Sequence, residues 1–463
     1  MSLQGVRMDP NIQFRQYLHQ LVVQNPQMLK NEMYFMAVNC AQQGLHFDAS
    51  IQPLFISSDL TQRYQYFGEW VEHVLSRLLA VLKDPSHPFY YDLKTMMKMT
   101  HEIEEILHCP SSGKSGPGVV RPDTVLSENG FHAHEFNVSW PGGVADADII
   151  MGTLSKNTLF NEFRVKLQEN NMDVILPEEN LSCKLLLEEL IESSGKSKPY
   201  IVLAQPRPYG PDGRDLHLAE YLCTVFQQEG YECDIMFPDQ FEMVAHTPKF
   251  RGREIDIVYR LFEWHHVQQD PGFLGYRRLL RAAMNGDVEV VNRFTSEALS
   301  AKSVFEVLWD DHLCQIFDED IIGNIRHHIP QTFNLAKANQ DELQLLIENK
   351  DQWVVKPVKG SSGMQVFMGK LVDDNNFWNH IITRGKSTGE MVAQKYVETP
   401  GMPVLEVSQD DSFEEQVHYI DINPFYFRGK RGNFFGRWSR TYMTAQCNPG
   451  LGGMYPVCLV ENL

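Results

Sequence analysis

An α+β chain of several units, one of them an α/β layer, is what three features of this sequence predict. A helical-periodic stretch opens it, two extended runs around a short turn follow near residue 120, and strands alternate with helices from about residue 200 to 291. At 463 residues the chain exceeds what one compact core holds. From about Ile12 to Ile106, Phe14, Leu18, Leu21 and Val22 recur at helix spacing, as do Trp70, Val74, Leu75, Leu78 and Leu79. Residues 1–118 therefore read as a helical region. The Ser/Gly/Pro stretch Cys109 to Gly118 ends it, and Val119 to Leu126 with Phe131 to Val138 reads as a hairpin. Helices over Asp146 to Glu169 and Leu181 to Ser193 complete a unit at 119–195. Between 196 and 295 the order is strand (Tyr200 to Ala204), helix (Leu216 to Glu229), strand (Cys233 to Met236), strand (Ile255 to Arg260), helix (Tyr276 to Met284), strand (Val288 to Val291). Such alternation predicts a small, largely parallel layer. Residues 296–463 give a helix around Lys302, then strands and Gly-rich turns.

Composition narrows the function. Apolar residues are 43%, charged 22% and aromatic 11%, the make-up of a packed protein. With 60 acidic against 41 basic side chains the formal charge is −19, which repels phosphate backbones and anionic lipid, so a nucleotide site must be a local exception. Stretches of eighteen apolar residues are missing, and Met1 to Gln13 lacks a charged-then-apolar pattern. A cytoplasmic protein with neither membrane nor nucleic-acid partner is the expectation. The eight cysteines are scattered without metal-ligand spacing, which reads as reduced, mostly buried thiols.

The chemistry is densest in the hairpin. If Glu128, Asn129 and Gly130 form a three-residue loop with Gly130 left-handed, Ser127 faces Phe131, Asp123 faces Glu135 and Arg121 faces Asn137. Opposed residues share a face, so all four polar groups project from one patch. Asp123, Glu135 and Asn137 supply the oxygen donors Mg2+ prefers, and the planar fork of Arg121 suits phosphate or a carboxylate. A solvent-facing strand edge would present the same residues incidentally. A zinc site from His132, His134 and Glu135 is disfavoured, because alternation turns Glu135 away from both histidines.

A second cluster lies late in the chain. Trp353 to Gly369 reads strand, small-residue turn, strand, in which Gly360, Ser361, Ser362 and Gly363 can bring backbone N–H groups to phosphate while Lys356 adds a charge. The Walker spacing is missing, and an ordinary tight hairpin has the same pattern. Gln394, Lys395, Tyr396 and Val397 close a short apolar strand able to meet an adenine edge, or simply to fill a core. The run Arg428-Gly429-Lys430-Arg431, flanked by Phe427, Phe434 and Phe435, suggests a mobile loop closing on an anionic substrate. Single-stranded nucleic acid is the disfavoured alternative at this overall charge. Trp140-Pro141-Gly142-Gly143 either offers N–H groups to a reacting carboxylate or starts a helix.

Together these motifs resemble the ATP-grasp ligases. The Lys356 loop, the Gln394 to Val397 hinge and Gly436-Arg437-Trp438-Ser439 with Asn448 and Gly452-Gly453 resemble the nucleotide half; the R-x-D…E-x-N hairpin resembles the metal half. Here the metal half comes first, an order that resembles the circularly permuted branch of glutathionylspermidine synthetases and eukaryotic-type glutathione synthetases. Ile255 to Arg260 looks like that branch's pre-ATP strand, and Val290 to Phe294 with Leu299 to Lys302 like its first-lysine helix. The resemblance spans roughly Val119 to Val457. It implies a circularly permuted ATP-grasp fold with a pre-ATP-grasp layer at 196–295 and the nucleotide-binding part at 296–463. It further implies that Lys302 and Lys356 contact ATP phosphates, Gln394 to Val397 cradle adenine, and Asp123, Glu135 and Asn137 hold magnesium. The loop Gly-Ser-Ser-Gly departs from the charged loop of glutathionylspermidine synthetases, and no amidase domain fits this length.

The reaction implied is transfer of the γ-phosphoryl group of ATP to a small-molecule or peptide carboxylate, then attack by an amine on the acyl phosphate. Charge stabilisation and alignment dominate such a step, so cations matter more than a protein nucleophile, with Arg121 and Arg437 assigned to phosphate or substrate. On this reading Asp123→Asn and Lys356→Ala abolish turnover and leave the fold intact. A regulatory protein that binds ATP without turnover is the main alternative. A nicotinamide oxidoreductase fails, because Gln205-Pro206-Arg207 follows the first strand of the layer in place of G-x-G-x-x-G. Oligomeric state is not readable from the sequence.

Overall fold

The structure, a computed structural model, describes residues 9–45, 47–108, 116–128, 130–207, 214–268, 270, 273–360, 365–408, 410–440 and 452–461. Its centre is a sheet in the order Asp48–Ala49, Gly452–Tyr455, Lys430–Ser439, Phe413–Phe427, Val119–Ser127, Gly130–Asn137, with Gly401–Val407 pairing the far end of Phe413–Phe427. The hairpin thus sits at the edge of a sheet whose other strands, the short Asp48–Ala49 apart, come almost 300 residues later. Alternation along Phe413–Phe427 sends Ile420 and Ile422 into the core built on helix Ser58–Lys83, where Tyr64, Phe67 and Val71 pack. Phe425 and Phe427 face the opposite core, with helices Val144–Leu154 and Leu181–Ser194. The sheet is buried on both faces, and an aromatic-rich strand is what such a position favours.

The predicted α/β layer forms a four-stranded parallel sheet, Glu289–Val291, Ile257–Arg260, Ile201–Ala204, Cys233–Met236. Helices Arg214–Gln228 and Phe273–Asn285 lie where the periodicity puts them. The meander Glu242–Val244, Thr247–Phe250, Arg253–Glu254 was not foreseen. Helix also fails to run unbroken from Asp146 to Glu169. It stops at Leu154, and Asn157 starts a new helix by accepting from the Phe160 N–H at 3.0 Å. A second antiparallel sheet, Thr332–Asn334, Met391–Lys395, Trp353–Pro357, Phe367–Met368, carries the late lysine.

Among the described residues no helix is long and apolar enough to cross a membrane. The described cysteines Cys40, Cys183, Cys223, Cys233, Cys314 and Cys458 are free thiols, all buried but Cys314.

Candidate active site

The hairpin pairs Asp123 with Glu135 and Arg121 with Asn137. Near the turn, however, the register is one residue off the expected one: Ser127 faces Gly130, and Leu126 faces Phe131. A bulge between Asp123 and Thr124 reconciles the two, with His134 as the extra residue of the returning strand. Gly130, at φ 123°, supports the turn, while Asn129 lies outside the described residues. His134 is buried, and the charges of Lys356, Asp123, Glu135 and Arg437 all act on its ring; no metal cluster of histidines with Glu135 forms among the described residues.

Asp123, 2% exposed, is the hub. Its Oδ1 accepts from Arg121 Nε and from Asn137 Nδ2, each at 2.9 Å, and its Oδ2 accepts from Arg437 Nη2 at 2.9 Å. Arg437 also grips Asp421 (Nε–Oδ1 3.0 Å, Nη2–Oδ2 2.6 Å). Arg121 donates to the Gly142 carbonyl, and Gly143, at φ 95°, starts helix Val144–Leu154 against the Phe435 ring. Burial alone would raise the Asp123 carboxyl, but Arg121 and Arg437 outweigh it and hold it well below the usual range. Asp421, with one arginine, is pushed up by burial.

The late lysines reach this hairpin. Lys302 Nζ lies 2.8 Å from Glu135 Oε1 and donates to the Gly360 carbonyl at 2.7 Å. Lys356 Nζ donates to the His134 carbonyl at 2.7 Å and to Gln394 Oε1 at 2.8 Å. Gln394 is fixed in turn by its amide N–H to Thr332 Oγ1 at 2.9 Å. Burial and neighbouring Lys302 push the Lys356 ammonium down to about 7. Burial would raise Glu135, but Lys302 brings it below its ordinary value. Burial and Lys356 lower the His134 imidazole to about 3. Four cations, Arg121, Arg437, Lys302 and Lys356, therefore face three carboxylates in a chain of net charge −19. That is the local exception an anionic substrate needs.

Other predicted residues stand differently. Gly360 has φ 149° and is exposed, while Ser361, Ser362, Gly363 and Asn448 lie outside the described residues. The N–H groups of Lys395 and Tyr396 are taken by the carbonyls of Gln331 (2.8 Å) and Gln352 (2.7 Å). The Lys395 side chain is exposed, and Tyr396 and Val397 are half-buried. The basic run is not a mobile substrate loop. It is a tight turn pinned to helix Leu181–Ser194: Arg428 pairs Glu189 and Glu192, Lys430 pairs Glu188 at 3.0 Å, and Arg431 packs over Phe434.

Sequence reasoning missed several polar groups. Asn423 accepts the Thr124 N–H at 2.8 Å and donates to Asp421 at 3.0 Å, fastening the hairpin to the central sheet. Asn292 bonds both the N–H (2.9 Å) and the carbonyl (2.7 Å) of Val119, and the Val138 carbonyl (2.7 Å), tying the hairpin to the parallel layer. Arg260, fully buried, pairs with Glu297 at 2.6 Å. Burial, with Glu297 and Glu135 nearby, raises Glu263 to about 7. Among these, only Asp421 and Asn423, polar residues in an otherwise apolar, aromatic strand, offered a signal in the sequence.

No protein-family model and no curated protein sequence matches the chain. Among solved structures, it is similar to a glutathione synthetase-like effector from Globodera pallida, described in its apo form. That match has 11% identity and a TM-score of 0.60, and covers 94% of this chain and 98% of that one. The two share a fold. A "putative gamma-glutamylcysteine synthetase" from Methylobacillus flagellatus KT is similar more loosely, with a TM-score of 0.42 at 11% identity over 83% of this chain and 87% of that one. At that distance the second likeness carries no argument.

Proposed function

We propose that the chain is an ATP-dependent carboxylate–amine ligase of the circularly permuted ATP-grasp kind. The observation that carries this reading is the meeting of hairpin and late lysines: Lys302 on Glu135 and Lys356 on the backbone of His134. The shared fold with a glutathione synthetase-like protein supports it.

The residues present fit magnesium. Among the described residues no cluster of three or more His, Cys, Asp or Glu is placed to hold a metal ion. Two carboxylates and an amide are instead the sparse protein set that Mg2+ uses when phosphate and water complete its shell. Asn137 directs its amide N–H groups to Asp123 (2.9 Å) and the Arg121 carbonyl (3.1 Å), which leaves its oxygen for a ligand. Bound with the nucleotide, the metal would supply charge neutralisation at phosphate oxygens.

The remaining work falls to this chain's side chains. Lys302 and Lys356 would hold the terminal phosphates, exchanging Glu135 and Gln394 for phosphate oxygens. Arg121, beside the Gly142 turn, would orient the acid so that a carboxylate oxygen meets the γ-phosphorus as the β–γ bridging bond breaks. An amine nitrogen then attacks the acyl carbon, phosphate leaves with the bonding pair, and the nitrogen loses a proton. Arg437 keeps Asp123 ionised and in place.

A hydroxylamine trap tests the reading. The full chain with Mg-ATP is incubated with panels of amino acids, small peptides and polyamine conjugates, and ADP and hydroxamate are measured. ADP released in step with hydroxamate is the expected result; nucleotide binding with neither product across the panels would assign the fold to a non-catalytic ATP-binding protein.

A further inference from the structure

Three histidines among the described residues are buried, and one differs from the others. His328 has Nδ1 at 3.1 Å from the Phe131 carbonyl, and His418 has Nδ1 at 3.2 Å from the Tyr455 hydroxyl. His134, 6% exposed, has a partner on neither Nδ1 nor Nε2. Buried side-chain nitrogens are nearly always hydrogen-bonded, so a ring with two orphans weakens the fold compared with an aliphatic residue of similar size. Its neighbours are already committed elsewhere. Lys356 donates to the His134 carbonyl and Gln394, Arg437 to Asp123 and Asp421, and Lys302 to Glu135 and Gly360. The bulge makes His134 the unpaired extra residue of its strand, and the charges of Lys356, Asp123, Glu135 and Arg437 all act on its ring.

A neutral imidazole offers one N–H donor and one acceptor. The carboxylates of Asp123 and Glu135 are held by Arg121, Arg437 and Lys302, so the group that answers the donor is an anionic oxygen brought by a ligand. Resting on the nucleotide-binding reading above, we propose that His134 is a ligand-binding residue whose ring N–H donates to an oxygen of the bound polyphosphate. It adds a directional contact to the point charges of Lys302 and Lys356.

The test compares wild type, His134→Leu and His134→Gln by calorimetric titration with Mg-ATP and with Mg-tripolyphosphate, alongside melting of the unliganded proteins. The leucine variant, without the orphan nitrogens, is expected to melt at or above the wild-type temperature yet to bind both ligands about tenfold more weakly or worse. Glutamine, which keeps an N–H donor, should recover affinity to within about threefold. Should the leucine variant not fold, His134→Met serves as the donor-free comparison. Equal affinity of wild type and a donor-free variant overturns the proposal, as does a loss seen with ATP but not tripolyphosphate, which would place the contact on the nucleoside. Failure of wild type itself to bind Mg-ATP is a separate result that overturns the nucleotide reading along with it.

Discussion

Replacing Asp123 with asparagine keeps shape and removes one charge, so its cost can be worked from the structure. The carboxylate is buried, and four hydrogen bonds converge on it, three from the guanidinium groups of Arg121 and Arg437. Without it, Arg121 loses its carboxylate, while Arg437 keeps Asp421. Breaking a buried ion pair by removing one partner costs about 3–5 kcal/mol because the other charge is left uncompensated. With a urea dependence of about 3 kcal/mol per molar, the unfolding midpoint falls by about 1–1.7 M. Adding Arg121→Gln removes the stranded cation, and the double variant should regain about 0.3 M or more over Asp123→Asn. Tryptophan fluorescence during urea titration reads both. A midpoint unchanged in Asp123→Asn, or a double variant weaker than the two losses added, would refute the ion-network reasoning. The expectation from sequence that this substitution spares the fold is therefore replaced by one in which Asp123 supports both fold and site.

Three further outcomes follow. Lys356 stands near 7 in the free protein, and polyphosphate favours its charged form, so Mg-ATP binding should take up a proton and weaken by up to about tenfold per pH unit above 7, a dependence that Lys356→Met removes; calorimetry in buffers of different ionisation enthalpy measures it. Asp146, fully buried with one orphan oxygen, is raised by burial to about 7 from 3.8. The folded state thus binds more protons than the unfolded one between those values, and stability falls as pH rises through that window, by on the order of 4 kcal/mol, whereas Asp146→Asn should show a flatter pH profile in denaturant titrations. Arg428→Ala strands the buried Glu189 carboxylate and should cost about 3 kcal/mol in stability while leaving Mg-ATP affinity unchanged, since the basic turn is pinned to a helix rather than to substrate; a tenfold affinity loss would restore it to the site.

How much was legible depended on how local the signal was. A register counted from a three-residue loop placed Asp123 opposite Glu135, and the pairing held because the bulge offsets a one-residue slip at the turn. The one-residue slip at the turn and its correction by a bulge were not legible, because a bulge is set by what packs on the strand, here the Thr124 N–H seeking Asn423 from almost 300 residues away. The parallel layer was legible because its strands and helices alternate; the meander inserted between Cys233–Met236 and Ile257–Arg260 consists of strands too short to show a period. The basic turn misled for the same reason: four residues rich in Arg and Lys look like an anion site until helix Leu181–Ser194 brings Glu188, Glu189 and Glu192 beside them. That His134 is a bulge residue was not legible, because the bulge depends on the turn register and on the strand packed beside it.

Calorimetric titration of Mg-ATP into wild type, Asn137→Leu and Lys356→Met tests most directly whether the early hairpin and the late lysine strand build one nucleotide site. Binding by wild type, with affinity reduced about tenfold or more by either substitution, is the predicted result. Binding that responds to one half and ignores the other, or that is missing from wild type, would contradict it.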